Sequence, residues 1–197
     1  MQTALTRSHS FSSLSEFSGT RTGKIVFGIA ATAVVAAAAH VAVPLPFTPV
    51  PFILTPLAVL GVGLAFGPIG GLLVMLAYLA EGAAGLPVFS PTGIGGVAQL
   101  LGPTGGYLLS YPLVALVAGA LTRALQGSMS RFVAAAIAGT AAISVLFFCG
   151  AVWLAAVTHA SAHQVWIAAV APFLPGEAFK VLCAAGLYRA FSRESRA

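Results

Sequence analysis

Long apolar runs fill most of the chain between residues 25 and 191, and short irregular segments separate them. The 197 residues are 59% hydrophobic and 7% charged, whereas a typical soluble domain has about 25% charged residues. A chain of this length cannot hide so many apolar side chains from water, because small domains leave much of their surface exposed. The sequence therefore predicts one integrated membrane domain with lipid as its main solvent.

Six apolar runs are candidates for membrane-spanning helices, each of which needs about 20 residues. Run one covers residues 25–43, and a single stretch over 52–86 holds runs two and three. The sequence Phe66-Gly67-Pro68-Ile69-Gly70-Gly71 breaks that stretch and predicts a tight helical hairpin. Runs four, five and six cover residues 107–121, 132–157 and 177–191. The predicted fold is an all-α membrane protein with six transmembrane helices and Gly/Pro-rich outer loops.

The ends of the chain differ from its middle. Residues 1–22 are polar and rich in Ser and Thr, which predicts a disordered N-terminal tail. The six-helix domain then occupies residues 23–192, and residues 193–197 form a short second tail.

Lysine and arginine residues are distributed asymmetrically about these runs. Eight of the nine lie on one side of the six-span arrangement: Arg7, Arg21, Lys24, Arg123, Arg131, Arg189, Arg193 and Arg196. The opposite links, 44–51, 85–106 and 158–176, contain none. The positive-inside rule places both termini in the cytoplasm and the three irregular links outside. The positions also explain the formal charge of +5 better than a nucleic-acid partner does.

Lys180 is the exception to this distribution, because it lies about one turn inside run six. An ionisable residue in a span costs about 2.5–3.5 kcal/mol on insertion scales and usually marks function. Glu177 lies three residues earlier, on the same helical face. One interpretation is that Lys180 snorkels or simply pairs with Glu177. The other is that Lys180 meets a ligand anion while Glu177 accepts hydrogen bonds from a polar ligand head.

The three irregular links share one side, where they could form the wall and lid of an outward-facing pocket, although ordinary exposed loops are the alternative. Polar and aromatic residues in or beside these links are the candidates to line it: Tyr78, Glu81, Phe89, Gln99, Thr104, Tyr107 and Trp166. For Glu81, a capping or hydration role is equally open. Such a pocket would suit a small amphiphilic carboxylate.

Catalysis is poorly supported by the sequence. The chain has no Asp, and it lacks the HExxH, GxSxG and GxxxxGK[ST] motifs. His159 and His163 are four residues apart, but two imidazoles alone make a poor metal site. We therefore expect neither an enzyme nor a metal site, and without a phosphate loop the chain cannot itself power transport with ATP.

Several motifs, in order, make the chain similar to the BioY family. They are PLPFTPVP at 44–51, YLAEGAAGLPVF at 78–89, Gly95-Gly96, LGPTGGY at 101–107 and PFLPGEAFK at 172–180. The resemblance covers about residues 25–190, and the combination of GLPVF with GPTGGY is specific. Two positions depart from the family pattern. Phe52-Ile53-Leu54-Thr55-Pro56 replaces the frequent ITLQT, and Glu177 stands where Asp is usual.

BioY proteins are biotin-binding S components of energy-coupling-factor (ECF) transporters. The resemblance implies a six-helix fold in a bacterial plasma membrane, with biotin bound near the extracellular side and no further cofactor. It implies a transmembrane coupling subunit and paired ATPases as partners, although some family members are proposed to act alone. In related S components, small residues on the first helix serve the coupling interface, and Ala33 and Ala37 have the matching AxxxA spacing.

Biotin combines a carboxylate tail, an apolar stem and a polar ureido ring. The resulting hypothesis is that Lys180 and Glu177 recognise polar ends of the ligand. The pocket would be shaped by Tyr78, Phe89, Gln99, Thr104 and Tyr107. An S component for another small vitamin and a structural membrane protein without a ligand are the alternatives.

Overall fold

The computed structural model describes residues 20–194. The predicted tail over residues 1–22 lies outside the described residues except for its last three, and 195–197 of the second tail lie outside them as well. Residues 21 and 22 already belong to the first helix, and residues 193 and 194 still belong to the last one. The helical domain is thus slightly longer at both ends than the predicted 23–192.

The described chain is almost entirely helical. Its elements are α1 (Arg21–His40), β1 (Ala42–Val43), β2 (Phe52–Ile53), α2 (Thr55–Ala83), α3 (Gly96–Leu101), α4 (Gly105–Leu125), α5 (Arg131–Thr158), α6 (Ala162–Ala169) and α7 (Leu174–Glu194). A short 3-10 helix, Ala171–Phe173, joins α6 to α7. β1 and β2 pair antiparallel, with Ala42 opposite Ile53.

Hydroxyl side chains begin three of these helices. Thr20 accepts a hydrogen bond from the Gly23 amide at the start of α1, and Ser130 accepts one from Val133 at the start of α5. Ser161 forms a full capping box with Gln164 at the start of α6. Each cap satisfies backbone N–H groups that the helix itself leaves without partners.

Helix α2 is two helices joined at Gly67. Gly67 has φ 72° and ψ −174°, a conformation that only glycine adopts readily, and Pro68 begins the second half. A Cβ atom on Gly71 would lie 3.0 Å from the Gly63 Cα, so the two halves fold back on each other. The predicted tight hairpin is therefore confirmed.

Five helices of the described chain are long and apolar enough to cross a membrane, and α6 and α7 count together as the last of them. Because α2 contributes two helices rather than one, the predicted six-helix membrane fold is confirmed. The segment over 85–106 does not span, as expected, but it contains the short helix α3, which the sequence did not predict. Large apolar side chains such as Phe148 and Phe179 are about 70% exposed around the bundle, as lipid-facing residues are.

Helix α4 lies at the centre of the bundle, where it contacts both the α2 hairpin and α5. Its Val114, Ala115 and Ala118 are fully buried. A Cβ atom on Gly119 would lie 2.6 Å from the Gly67 carbonyl carbon, so the hairpin turn packs directly on the backbone of α4. Small residues allow this close approach of helices in a membrane protein.

The two ends of the bundle have different chemistry. The Arg123 guanidinium packs against Gly67 at the hairpin turn, and Gln126 donates a hydrogen bond to the Tyr188 hydroxyl of α7. The basic links therefore share one end, as predicted. Segments 49–53, 90–104 and 169–177 meet at the other end, where they surround a cavity.

Candidate functional site

The cavity at the outer-loop end of the bundle has a volume of about 320 Å³, at the lower limit of the roughly 300–1,000 Å³ usual for small-molecule sites. It is largely apolar, with Pro49, Val50, Leu108, Leu146 and Phe173 among its walls. Five of the predicted site residues line it: Tyr78, Gln99, Thr104, Tyr107 and Glu177. Lys180, Glu81, Phe89 and Trp166 do not.

Glu177 supplies the only carboxylate among the described lining residues. It lies in the first turn of α7, where the helix dipole favours a negative charge, and it is only 5% exposed. Its Oε1 atom lies 2.6 Å from Lys180 Nζ. Its Oε2 atom is buried and has no hydrogen-bond partner among the described residues. A buried acceptor without a partner is costly, so this oxygen is suited to a ligand that brings an N–H or O–H donor.

Lys180 lies behind Glu177 and is 2% exposed. Its Nζ atom donates to Glu177 Oε1 and, at 2.5 Å, to the carbonyl of Ile53 in β2. The same atom lies 4.2 Å from the centre of the Phe52 ring. Two of the three donors of the ammonium group are thus used within the protein, and the Phe52 ring adds a cation–π contact. Lys180 therefore contacts protein groups and does not line the cavity. It balances the charge of Glu177 and holds β2 against α7.

Aromatic residues build one wall in two layers. Tyr78 lines the cavity with its ring, while its hydroxyl donates to the Val88 carbonyl at 2.9 Å. Phe89 packs edge-on against Tyr78, with ring centres 5.5 Å apart, and it fills the space left by Gly82. Phe89 therefore supports the wall from behind, and the predicted direct contact with the cavity is not seen.

Glu81 and Trp166 are separate from the cavity. Thr32 of α1 donates a hydrogen bond of 3.0 Å to Glu81 Oε1, which joins α1 to α2. Trp166 is about half exposed on α6. This hydrogen bond to the buried Thr32 explains Glu81 as a link between helices, a role that differs from the ligand contact and from the capping or hydration role considered from the sequence.

Two of the remaining predicted residues, Gln99 and Tyr107, form side-chain hydrogen bonds within the protein. The Gln99 amide bonds to Ser90 and Gly95 in its own loop. The Tyr107 hydroxyl donates to the Ala169 carbonyl at 2.9 Å, which joins α4 to the end of α6. A Cβ atom on Gly150 would lie 2.2 Å from the Tyr107 ring, so α5 leaves room for that ring. Thr104 lines the cavity directly before α4.

Comparison with known proteins decides the family. The model of the BioY family matches residues 7–197. The chain belongs to the BioY family. A protein of Pyrococcus horikoshii named "Probable biotin transporter BioY" is 33% identical over 69% of this chain and 76% of its own length. The "Biotin transporter BioY" of Rhizobium etli is 35% identical over 75% of this chain and 81% of its own.

The fold agrees with one solved structure. The S component for biotin from an ECF-type ABC transporter has 25% sequence identity to this chain, with a TM-score of 0.79. The match covers 86% of this chain and 90% of that one. The motifs that carry the sequence resemblance, including PFLPGEAFK, therefore lie in a BioY-family chain that shares most of its fold with that structure.

Four polar residues of this BioY cavity were missed by the sequence reasoning: Thr55, Ser90, Thr92 and Tyr111. Tyr111 lies four residues after Tyr107, on the same face of α4, and this spacing could have revealed it. Thr55 lies within the segment that departs from the family pattern, and its hydroxyl is buried at the cavity. The departure thus leaves a polar group at the cavity rather than removing one.

Proposed function

We propose that this chain binds biotin and serves as the substrate-specific subunit of an ECF-type transporter in a bacterial plasma membrane. The observation that carries the proposal is the free Oε2 atom of Glu177 in a largely apolar cavity of a BioY-family fold. The cavity also argues against a structural protein without a ligand, which would have a packed outer half.

The ureido ring of biotin fits the Glu177 end of the cavity. The ring carries two N–H donors, and Glu177 Oε2 is an acceptor without a partner among residues 20–194. A hydrogen bond to a charged group contributes about 1.5–3 kcal/mol. Tyr78, Phe173 and Leu146 then cover the apolar bicyclic body.

The carboxylate tail of biotin is assigned to the opposite end of the cavity. Among residues 20–194, no lysine or arginine lines the cavity, and a buried carboxylate without a cation is costly. Thr92 and Ile94 both line the cavity and are exposed, so they mark its mouth. There water and the nearby hydroxyl groups of Ser90 and Thr104 can solvate the tail.

The direct test is binding of labelled biotin to the purified full chain, with Glu177→Ala as the variant. We expect saturable binding by the wild type, and a loss of affinity of at least tenfold in Glu177→Ala, because the ureido N–H loses a charged acceptor. Glu81→Gln is the matched control, since Glu81 lies away from the cavity. Competition assays with other labelled small vitamins separate the alternatives. If a labelled vitamin binds saturably and unlabelled biotin does not displace it, the ligand is that vitamin.

ATP-driven transport requires partners under this proposal, because the chain has no phosphate loop. Ala33 and Ala37 are both exposed on α1, where a transmembrane coupling subunit could pack closely against them. ATP hydrolysis would be carried out by the paired ATPases, and this chain itself carries out no catalysis. Co-purification with the coupling subunit and ATPases of the same organism tests the assembly, and biotin uptake by this chain alone would show that it can act without them.

The orientation is also proposed: both termini and the basic links face the cytoplasm, and the cavity mouth faces outward. The charge distribution supports it, since the links at the cavity end contain no lysine or arginine. A membrane-impermeant maleimide should label Thr92→Cys in intact cells, and should label Gly127→Cys only after permeabilisation. The reverse pattern would place the cavity mouth on the inside.

A further inference from the structure

One short segment of chain lies along the mouth of the cavity. This segment, residues 90–95, is called the strap. Ser90, Thr92, Gly93 and Ile94 all line the cavity, and the last three of them are exposed on their other side. The strap is therefore part of the rim that a ligand passes when it enters or leaves the cavity.

The side-chain amide of Gln99 holds both ends of the strap. Its Nε2 donates to the Ser90 carbonyl at 3.3 Å, and its Oε1 accepts from the Gly95 amide at 3.1 Å. Gln99 is 5% exposed, whereas Val97 and Leu101 on the same short helix are more than half exposed. The helix α3 therefore turns its polar side chain inward, where it bonds to the strap, and its apolar side chains outward.

Two further features fit the strap to this amide. A Cβ atom on Gly93 would lie 2.4 Å from the Gln99 Cδ atom, so the strap backbone packs directly on the amide. Gly95 and Gly96 have φ of 75° and 59°, values that only glycine adopts without strain, and they join the strap to α3. The strap thus has glycines at its junction with α3, and the Gln99 side chain bonds to both of its ends.

We propose that Gln99 is a positioning residue that latches the strap closed and so sets the rate at which ligand enters and leaves the cavity. This inference rests on the proposed function for the identity of the ligand. The hydrogen bonds of the amide go to the strap, so this role of Gln99 concerns access to the cavity that the residue also lines.

The expected effect follows from the two hydrogen bonds. Two bonds of ordinary strength correspond to about a 10- to 100-fold change in the ratio of closed to open strap. They join protein groups only, so their loss affects the empty and the occupied cavity alike. Gln99→Ala should therefore raise both the association and the dissociation rate of biotin. Because Gln99 also lines the cavity, the rise in the association rate, and not Kd, is the measure of the latch.

The experiment measures both rates with labelled biotin on the purified full chain, for wild type, Gln99→Ala and Gly93→Ala. Gly93→Ala keeps the amide but forces it away from the strap, so it should accelerate both rates as well. Gly127→Ala is the matched glycine control, because a Cβ atom there meets nothing within 4 Å. A weaker Kd at an unchanged association rate would show that Gln99 contacts the ligand, and unchanged rates in both variants would equally overturn the latch.

A second measurement needs no ligand. Leu146 lines the cavity and is almost fully buried, so Leu146→Cys, in a chain with Cys149→Ala and Cys183→Ala, reports access to the interior. A water-soluble methanethiosulfonate reagent should modify this cysteine about 10- to 100-fold faster when Gln99→Ala is added. Equal modification rates would refute the latch. If the wild type fails to bind biotin, the proposed function fails, while this measurement still decides the role of Gln99.

Discussion

Replacing Lys180 by methionine tests whether Lys180 contacts the ligand or acts only as the structural partner of Glu177. Methionine keeps the length and apolar stem of the side chain but removes its charge. The change leaves the Glu177 carboxylate buried without its counter-ion, and it removes the bond from Nζ to the Ile53 carbonyl. Both losses occur inside the protein, so they are expected with or without a ligand.

The magnitude follows from the burial of the pair, since the two side chains are 3% and 7% exposed. Removing one partner of a buried ion pair costs about 3–5 kcal/mol. For a soluble domain of this length, each kcal/mol lowers the melting temperature by about 2–4 °C, so Lys180→Met should melt about 6–20 °C below the wild type. Lys180→Met combined with Glu177→Gln should recover most of that loss, because no uncompensated charge stays buried.

The assay is thermal unfolding in detergent micelles without ligand, followed by binding of biotin and of biotin methyl ester, which has no carboxylate. If Lys180 acts through Glu177, the variant should lose affinity for both ligands by the same factor. Lys180→Met that melts like the wild type, and loses affinity for biotin but not for the ester, would refute this reasoning. That result would show that Lys180 reaches the cavity and pairs with the ligand carboxylate.

Three further changes test the framework of the bundle. Thr32→Val removes the hydrogen bond to Glu81 and should cost about 1 kcal/mol in thermal unfolding, with biotin affinity unchanged; weakened binding would connect Glu81 to the site. Gly119→Ala places a methyl group 2.6 Å from backbone of the hairpin turn and should destabilise by at least about 1–3 kcal/mol, and melting at the wild-type temperature would contradict the close packing. Phe89→Ala removes the support behind Tyr78 and should cost about 3–5 kcal/mol, measured by the same melts, and it should also weaken biotin binding. Equal affinity in Phe89→Ala would show that the wall keeps its shape without this ring.

The hairpin, the six helices and the meeting of the irregular links at one end could all be predicted from the sequence. These features depend on lipid, which makes apolar length and charge position decisive. Gly67, with a backbone conformation that favours glycine, and Pro68 mark the point where the apolar run turns back. Apolar length, charge position and the break at Gly67-Pro68 are therefore sufficient to predict the topology.

The assignment of Lys180 and Glu177 needed the structure. Their spacing of three residues predicts that they are neighbours, and they are. It cannot predict which of the two faces the cavity, because that depends on how α7 rotates against β2. Phe52 and the Ile53 carbonyl, more than 120 residues away in sequence, attract the ammonium group and leave the carboxylate oxygen free. Likewise, the partners of Gln99 depend on the path of the strap. The glycines allow that path, but their positions in the sequence do not predict it.

The hairpin has a consequence for the bilayer around the protein. At 1.5 Å per residue, residues 55–66 span about 18 Å and residues 68–83 about 24 Å, whereas a hydrocarbon core is about 30 Å thick. Lipid beside the hairpin must therefore thin, or let headgroups and water descend to the turn, where Arg123 can meet lipid phosphates. Hydrophobic mismatch on this side of the bundle makes acyl-chain length a determinant of how the protein tilts in its membrane.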